Sequence, residues 1–108
     1  MAIAAIGPGG ESMDLGNLLK EKRDEIFRIS ELHGARNIRV FGSAARNEAK
    51  PESDIDFLVD LEQGRSLLDL GGLLVDLERL LGRRVDIVTE RGLHWYLRDT
   101  IIKEARPL

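Results

Sequence analysis

The stretch FGSAARNEAKPESDIDFLVDLE, residues 41–62, opens on a glycine-serine pair, crosses a polar loop and ends in alternating apolar and acidic residues. Ile55, Phe57, Val59 and Leu61 recur at every second position and so share one face of a β-strand, while Asp54, Asp56, Leu58 and Asp60 share the other. Aspartate packs poorly on a pleated surface and gives up its water at a cost, so three of them on one strand is an unfavourable choice for a purely structural element. One face of this strand is expected to meet a core and the other to stay open to solvent or ions.

The flanking sequence supplies the rest of a small fold. Leu15, Leu18, Leu19, Ile26, Ile29 and Leu32 trace one face of a helix that stops at His33-Gly34. NIRVFG (37–42) reads as a strand, AARNEA after Ser43 as a short helical turn, and Lys50-Pro51 as its break. Ser66 and Asp69 form a capping-box pattern ahead of the stripe Leu70, Leu73, Leu74, Leu77, Leu80 and Leu81, which Gly82 closes. Gly71-Gly72 costs about 1 kcal/mol per residue relative to alanine, so an irregular start is expected there. RRVDIVT (83–89) is a third strand with Val85 and Ile87 on one face and Asp86 on the other, and residues 93–105 are expected to form a last helix or two, burying some of Leu93, Trp95, Leu97, Ile101 and Ile102. The order predicts an α/β two-layer sandwich, a small mixed sheet with helices on one face and its acidic face exposed.

A length of 108 residues suits one compact domain. Residues 1–13 read as a flexible leader and 14–108 as the folded unit. A net charge of −3, with acids close to every basic cluster, argues against strong nucleic-acid binding. The absence of cysteine excludes disulfides and thiolate metal sites and is compatible with the cytoplasm. No apolar run approaches the roughly 18–20 residues of a membrane-spanning helix.

Asp54 and Asp56 point the same way with α-carbons about 6.5–7 Å apart, and Asp86 comes within about 5 Å if its strand pairs alongside. Carboxylates this close repel one another unless a cation or a proton intervenes. An all-oxygen set suits Mg²⁺, which keeps water and shares its coordination with phosphates, and two such ions about 3.5–4 Å apart can clamp an in-line displacement. Gly42 and Ser43 complement the acids. They lie where a strand gives way to a helical turn, whose free N–H groups, together with the serine hydroxyl, can hold an anion. Taken singly, an Asp-x-Asp is usually a solvated edge and a Gly-Ser pair a simple turn; their combination in this order is what points to a nucleoside triphosphate with Mg²⁺.

Gly42-Ser43, ten intervening residues, Asp54-Ile55-Asp56 and then Val85-Asp86-Ile87 resemble the DNA polymerase β-like nucleotidyltransferase superfamily. Within it, residues 15–108 are similar to the minimal nucleotidyltransferases that serve as antitoxins to HEPN-domain toxins. Relatives usually read Gly-Ser-x-Ala-Arg-Gly; Ala45-Arg46 is kept here and Asn47 replaces the last glycine. The resemblance implies metal ligands at Asp54, Asp56 and Asp86, with Asp86 also helping to deprotonate the acceptor. It implies phosphate contacts at Gly42, Ser43 and Arg46, although for Arg46 a surface ion pair with Glu48 or Glu52 competes. The implied reaction is transfer of AMP from ATP to a hydroxyl of a HEPN toxin. So short a chain leaves no room for an acceptor domain, so a protein partner or a second copy is expected to present that hydroxyl. A non-catalytic antitoxin that blocks the toxin stoichiometrically is the runner-up, and a small-molecule nucleotidyltransferase comes third.

Overall fold

The computed structural model describes residues 15–46 and 54–108. The chain there runs through α1 (Leu15–Glu21), α2 (Arg23–Leu32), β1 (Ala35–Phe41), β2 (Ile55–Leu61), α3 (Leu67–Leu81), β3 (Val85–Thr89), α4 (Trp95–Glu104) and β4 (Arg106–Pro107). The expected leader, Asn47, Glu48, Lys50-Pro51 and Glu52 lie outside the described residues.

The strands form one mixed sheet in the order β3-β2-β1-β4, in which the strands expected from the alternation in residues 54–61 and 85–89 lie side by side and β4 is an addition to the expected three. β1 is antiparallel to both its neighbours, and β2 and β3 are parallel, joined by the α3 crossover that parallel neighbours require. Register places Phe41 opposite Asp56 and Asp56 opposite Asp86, so one row across the sheet carries two of the candidate acids side by side. Ile55, Phe57 and Val59 are wholly buried and share one core with Ile26 of α2 and with Leu73, Leu77 and Leu81 of α3. Each such side chain contributes about 1.5–3 kcal/mol by leaving water.

Several expectations need adjustment. The first helix is interrupted at Lys22, although the N–H of Lys22 still donates to Leu18 O at 3.0 Å and that of Ile26 to Lys22 O at 2.9 Å. α3 is continuous through Gly71-Gly72, not irregular at its start. Its first turn is fixed by the predicted box, in which Ser66 Oγ accepts from the Leu68 N–H at 3.2 Å and Asp69 accepts from the Ser66 N–H at 2.9 Å. Gly72 is there for proximity: a Cβ would lie 2.7 Å from the His33 ring, which reaches across from the end of α2 to meet Asp76 at 2.7 Å. Leu58 sits among acids by alternation yet is wholly buried, flanked in its row by Arg39 and Val88 and outside the main core cluster. The acidic face is therefore open at its ends and closed in its middle.

The last helix departs most from expectation. No residue of α4 is buried, and Trp95 (84%), Tyr96 (60%) and Leu97 (44%) are exposed. Three consecutive apolar residues spread over about 200° of a helix and make no single stripe, so no one face can be laid on the core. Among the described residues no helix is long and apolar enough to cross a membrane.

Candidate active site

β1 delivers the chain to Gly42, whose φ of +68° turns it away from the sheet. The Arg46 N–H then bonds back to Gly42 O at 3.2 Å, closing one helical turn around the partly buried Ser43. Gly42 meets two demands at once. Its backbone angle disfavours a side chain, and a Cβ would lie 2.5 Å from Asp56 Oδ2. The turn thus packs its backbone directly against the carboxylate on the neighbouring strand.

Asp56 is half-buried at the centre of the arrangement. Its pKa is raised, first by burial and then by the charges of Asp86, Asp54 and Glu104, with Arg46 acting in the opposite sense. Asp86 lies across from it on β3, and Asp54 precedes β2 with Oδ1 3.9 Å from Arg84 Nε. All three predicted acids therefore act on one spot. They do not converge into a ready-made cage, since no group of three or more acids and histidines among the described residues is placed to hold a metal ion. The donor set still suits a hard divalent cation, being all oxygen and carrying negative charge in excess of its counter-charge at Asp56.

The anion half of the site differs from expectation. The Gly42 N–H is not free: it donates to Glu104 Oε1 at 2.7 Å. The other carboxylate oxygen, Oε2, takes a 2.7 Å bond from Arg46 Nη1. Arg46 is thus paired with the end of α4, whereas Glu48 and Glu52, weighed as alternatives to a phosphate, fall outside the described residues.

A family model described as a nucleotidyltransferase domain matches residues 20–108. The chain belongs to this family. It is a nucleotidyltransferase. It is 45% identical over 87 residues to a candidate protein adenylyltransferase of Methanocaldococcus jannaschii, covering 81% of this chain and 94% of that one. It is 46% identical over 77 residues to the protein adenylyltransferase MntA of Thermococcus cleftensis, covering 71% of this chain and 78% of the relative. A solved structure described as a candidate minimal nucleotidyltransferase superposes with a TM-score of 0.80 at 50% identity, over 90% of this chain and 98% of the other. A toxin-antitoxin crystal structure with AMP-PNP shares the fold, with a TM-score of 0.67 at 21% identity over 78% and 69% of the two chains.

Sequence reasoning about this nucleotidyltransferase missed Glu104. Neither spacing nor periodicity links it to Gly42, 62 residues earlier. What brings the end of α4 beside the Gly42 turn is the two-residue β4 that follows, where Arg106 and Pro107 pair with Val40 and Arg39. A cleft of about 700 Å³ lies elsewhere, lined by residues that include Asp60, Arg65, Glu90 and Arg98 at the opposite end of β2. Two of its charges are already paired with neighbouring residues, Glu90 with Arg39 at 2.9 Å and Arg65 with Asp69 at 3.2 Å, whereas the Gly42–Asp56 end gathers like charges.

Proposed function

We propose that this nucleotidyltransferase is an antitoxin that transfers AMP from ATP to a hydroxyl, such as a tyrosine, of a partner HEPN toxin in the cytoplasm. The observation that carries the site assignment is the crowding of Asp86, Asp54 and Glu104 around Asp56 against the backbone of Gly42. The naming of two relatives as protein adenylyltransferases, one only a candidate, supports the transferred group and the macromolecular acceptor. The toxin-antitoxin neighbour with AMP-PNP supports a toxin partner and an adenine nucleotide.

In this scheme Asp54 and Asp56 would hold Mg²⁺, two ions in all, and Asp86 would complete the set. When bound, Mg²⁺ supplies positive charge to the α-phosphate and to the incoming and leaving oxygens. Asp86 takes the acceptor proton as the hydroxyl oxygen bonds to the α-phosphorus. The bond from that phosphorus to the bridging oxygen breaks, and pyrophosphate leaves. The Gly42 N–H, the Ser43 hydroxyl and the Arg46 guanidinium hold the β- and γ-phosphates. Exposed Trp95, Tyr96 and Leu97 offer apolar surface that a partner presenting the hydroxyl could cover.

The test uses the full chain with labelled ATP, Mg²⁺ and the product of the neighbouring gene. Label is expected on the partner, and Asp56→Asn is expected to lower transfer by more than about 100-fold, the upper end of what even outer partners of a metal site contribute. Toxin neutralisation that survives Asp56→Asn without labelling would leave stoichiometric binding as the activity.

A further inference from the structure

The proposed phosphate position is already filled by part of the same chain. One carboxylate bridges a backbone N–H and a guanidinium with both bonds at 2.7 Å, the short, charge-assisted geometry in which such donors hold a phosphate. From this we infer that Glu104 is a built-in phosphate surrogate, occupying the anion position between Gly42 and Arg46, and that a polyphosphate must displace it to bind. The inference rests on the assignment of Gly42 and Arg46 to phosphate binding and adds a residue that sets which anions gain entry.

The fold keeps the surrogate in place. α4 ends at Glu104, the Ala105 N–H closes the last turn on Ile101 O at 2.9 Å, and Arg106 then pairs with Val40 on the strand that leads to Gly42. With the backbone pinned on both sides, the carboxylate leaves by rotation about its own side-chain bonds, and α4 need not detach. A simple staple between helix and turn could be built from a neutral side chain. Here a carboxylate is set beside Asp56, where its charge adds to that of Asp86 and Asp54. That repulsion favours departure once an anion with its own cation arrives.

A tethered competitor acts at a high effective concentration, on the order of millimolar or more. It lowers the apparent affinity of every anion that needs the position, in proportion to how completely it fills it. A triphosphate with Mg²⁺ makes enough contacts to displace it, whereas inorganic phosphate, with one contact region, leaves Glu104 seated.

The experiment is calorimetric titration of the full wild-type chain, Glu104→Gln and Glu104→Ala with ATP, inorganic tripolyphosphate and adenosine, each with Mg²⁺. Thermal melts confirm that the variants fold. Both variants are expected to bind ATP and tripolyphosphate more tightly by on the order of tenfold, with adenosine unchanged. Glu104→Gln keeps the shape and a hydrogen-bond acceptor and so answers even if the alanine variant fails to fold. Wild-type binding with no gain, or a loss, in Glu104→Gln would make Glu104 a staple or a cation ligand; the surrogate role falls while the phosphate site stands. If no chain binds ATP or tripolyphosphate, the phosphate site itself falls and the surrogate with it.

Discussion

Asp56 and Asp60 stand on the same strand and by alternation on the same face, yet their surroundings are opposite. Asp60 accepts from Asn37 Nδ2 at 3.2 Å and from Arg39 Nη2 at 3.3 Å, and the largely covered Arg39 also meets Glu90 at 2.9 Å. At that end each described acid faces a base. Asp56 instead faces Asp86, Asp54 and Glu104, with Arg46 opposing them. An aspartate in a strand is therefore not a functional signal by itself. An excess of like charge that the fold does not neutralise is one, because something from outside must complete it.

The sharpest way to break this contrast is Gly42→Ala. The φ of +68° strains any side chain, and the new Cβ would meet Asp56 Oδ2 at 2.5 Å, pushing the carboxylate out of position. Transfer is expected to fall about 100-fold, as for a displacement of about 1 Å in a reacting constellation. Stability is expected to fall by about 1–2 kcal/mol from the left-handed backbone, read from the urea midpoint. An alanine variant with full transfer would mean that the Gly42–Asp56 contact has no part in the site.

Arg39→Met perturbs the other end and should do the converse. It keeps the aliphatic stem beside Leu58 while leaving Asp60 and Glu90 without their shared cation. Both acids retain access to water, so the loss is expected near 1–2 kcal/mol, toward the lower range for charged hydrogen bonds. ATP affinity in the same variant is expected to stay within about twofold of wild type, since additive behaviour is the rule for sites this far apart. A large drop in ATP affinity would show that the two ends are coupled.

The contrast was half legible in the sequence. A two-residue period places Asp54 and Asp56 on one side of their strand, and the same period with parallel pairing brings Asp86 alongside, as the register bears out. The turn at Gly42 follows from glycine at a strand end. The partner of each charge was hidden, because Arg39–Asp60 and Gly42–Glu104 are contacts between distant segments that depend on strand register and on where a two-residue β4 docks. The exposure of Trp95 was hidden for another reason: the core is filled by α1 to α3, which a list of apolar residues cannot reveal. Leu58 likewise reads as an outward position and is wholly buried.

The smallest expected effect is also the most direct measure of the contrast. Because burial and the surrounding acids raise the pKa of Asp56, the folded chain holds its proton at pH values where the unfolded chain has lost it. The native state then binds more protons than the unfolded one, and stability falls as pH rises from the ordinary aspartate range through the raised value. Above that window the whole penalty of the crowded charge remains; below the ordinary range it vanishes. Asp56→Asn removes the charge, so it is expected to melt above wild type at neutral pH and to lose that advantage in acid. Asp60→Asn, which weakens the pair with Arg39, is expected to melt below wild type at neutral pH. Added Mg²⁺ should raise the melting temperature of wild type more than that of Asp56→Asn, since the cation offsets the same repulsion. An Asp56→Asn chain that melts below wild type at neutral pH would mean that Asp56, like Asp60, is satisfied within the fold.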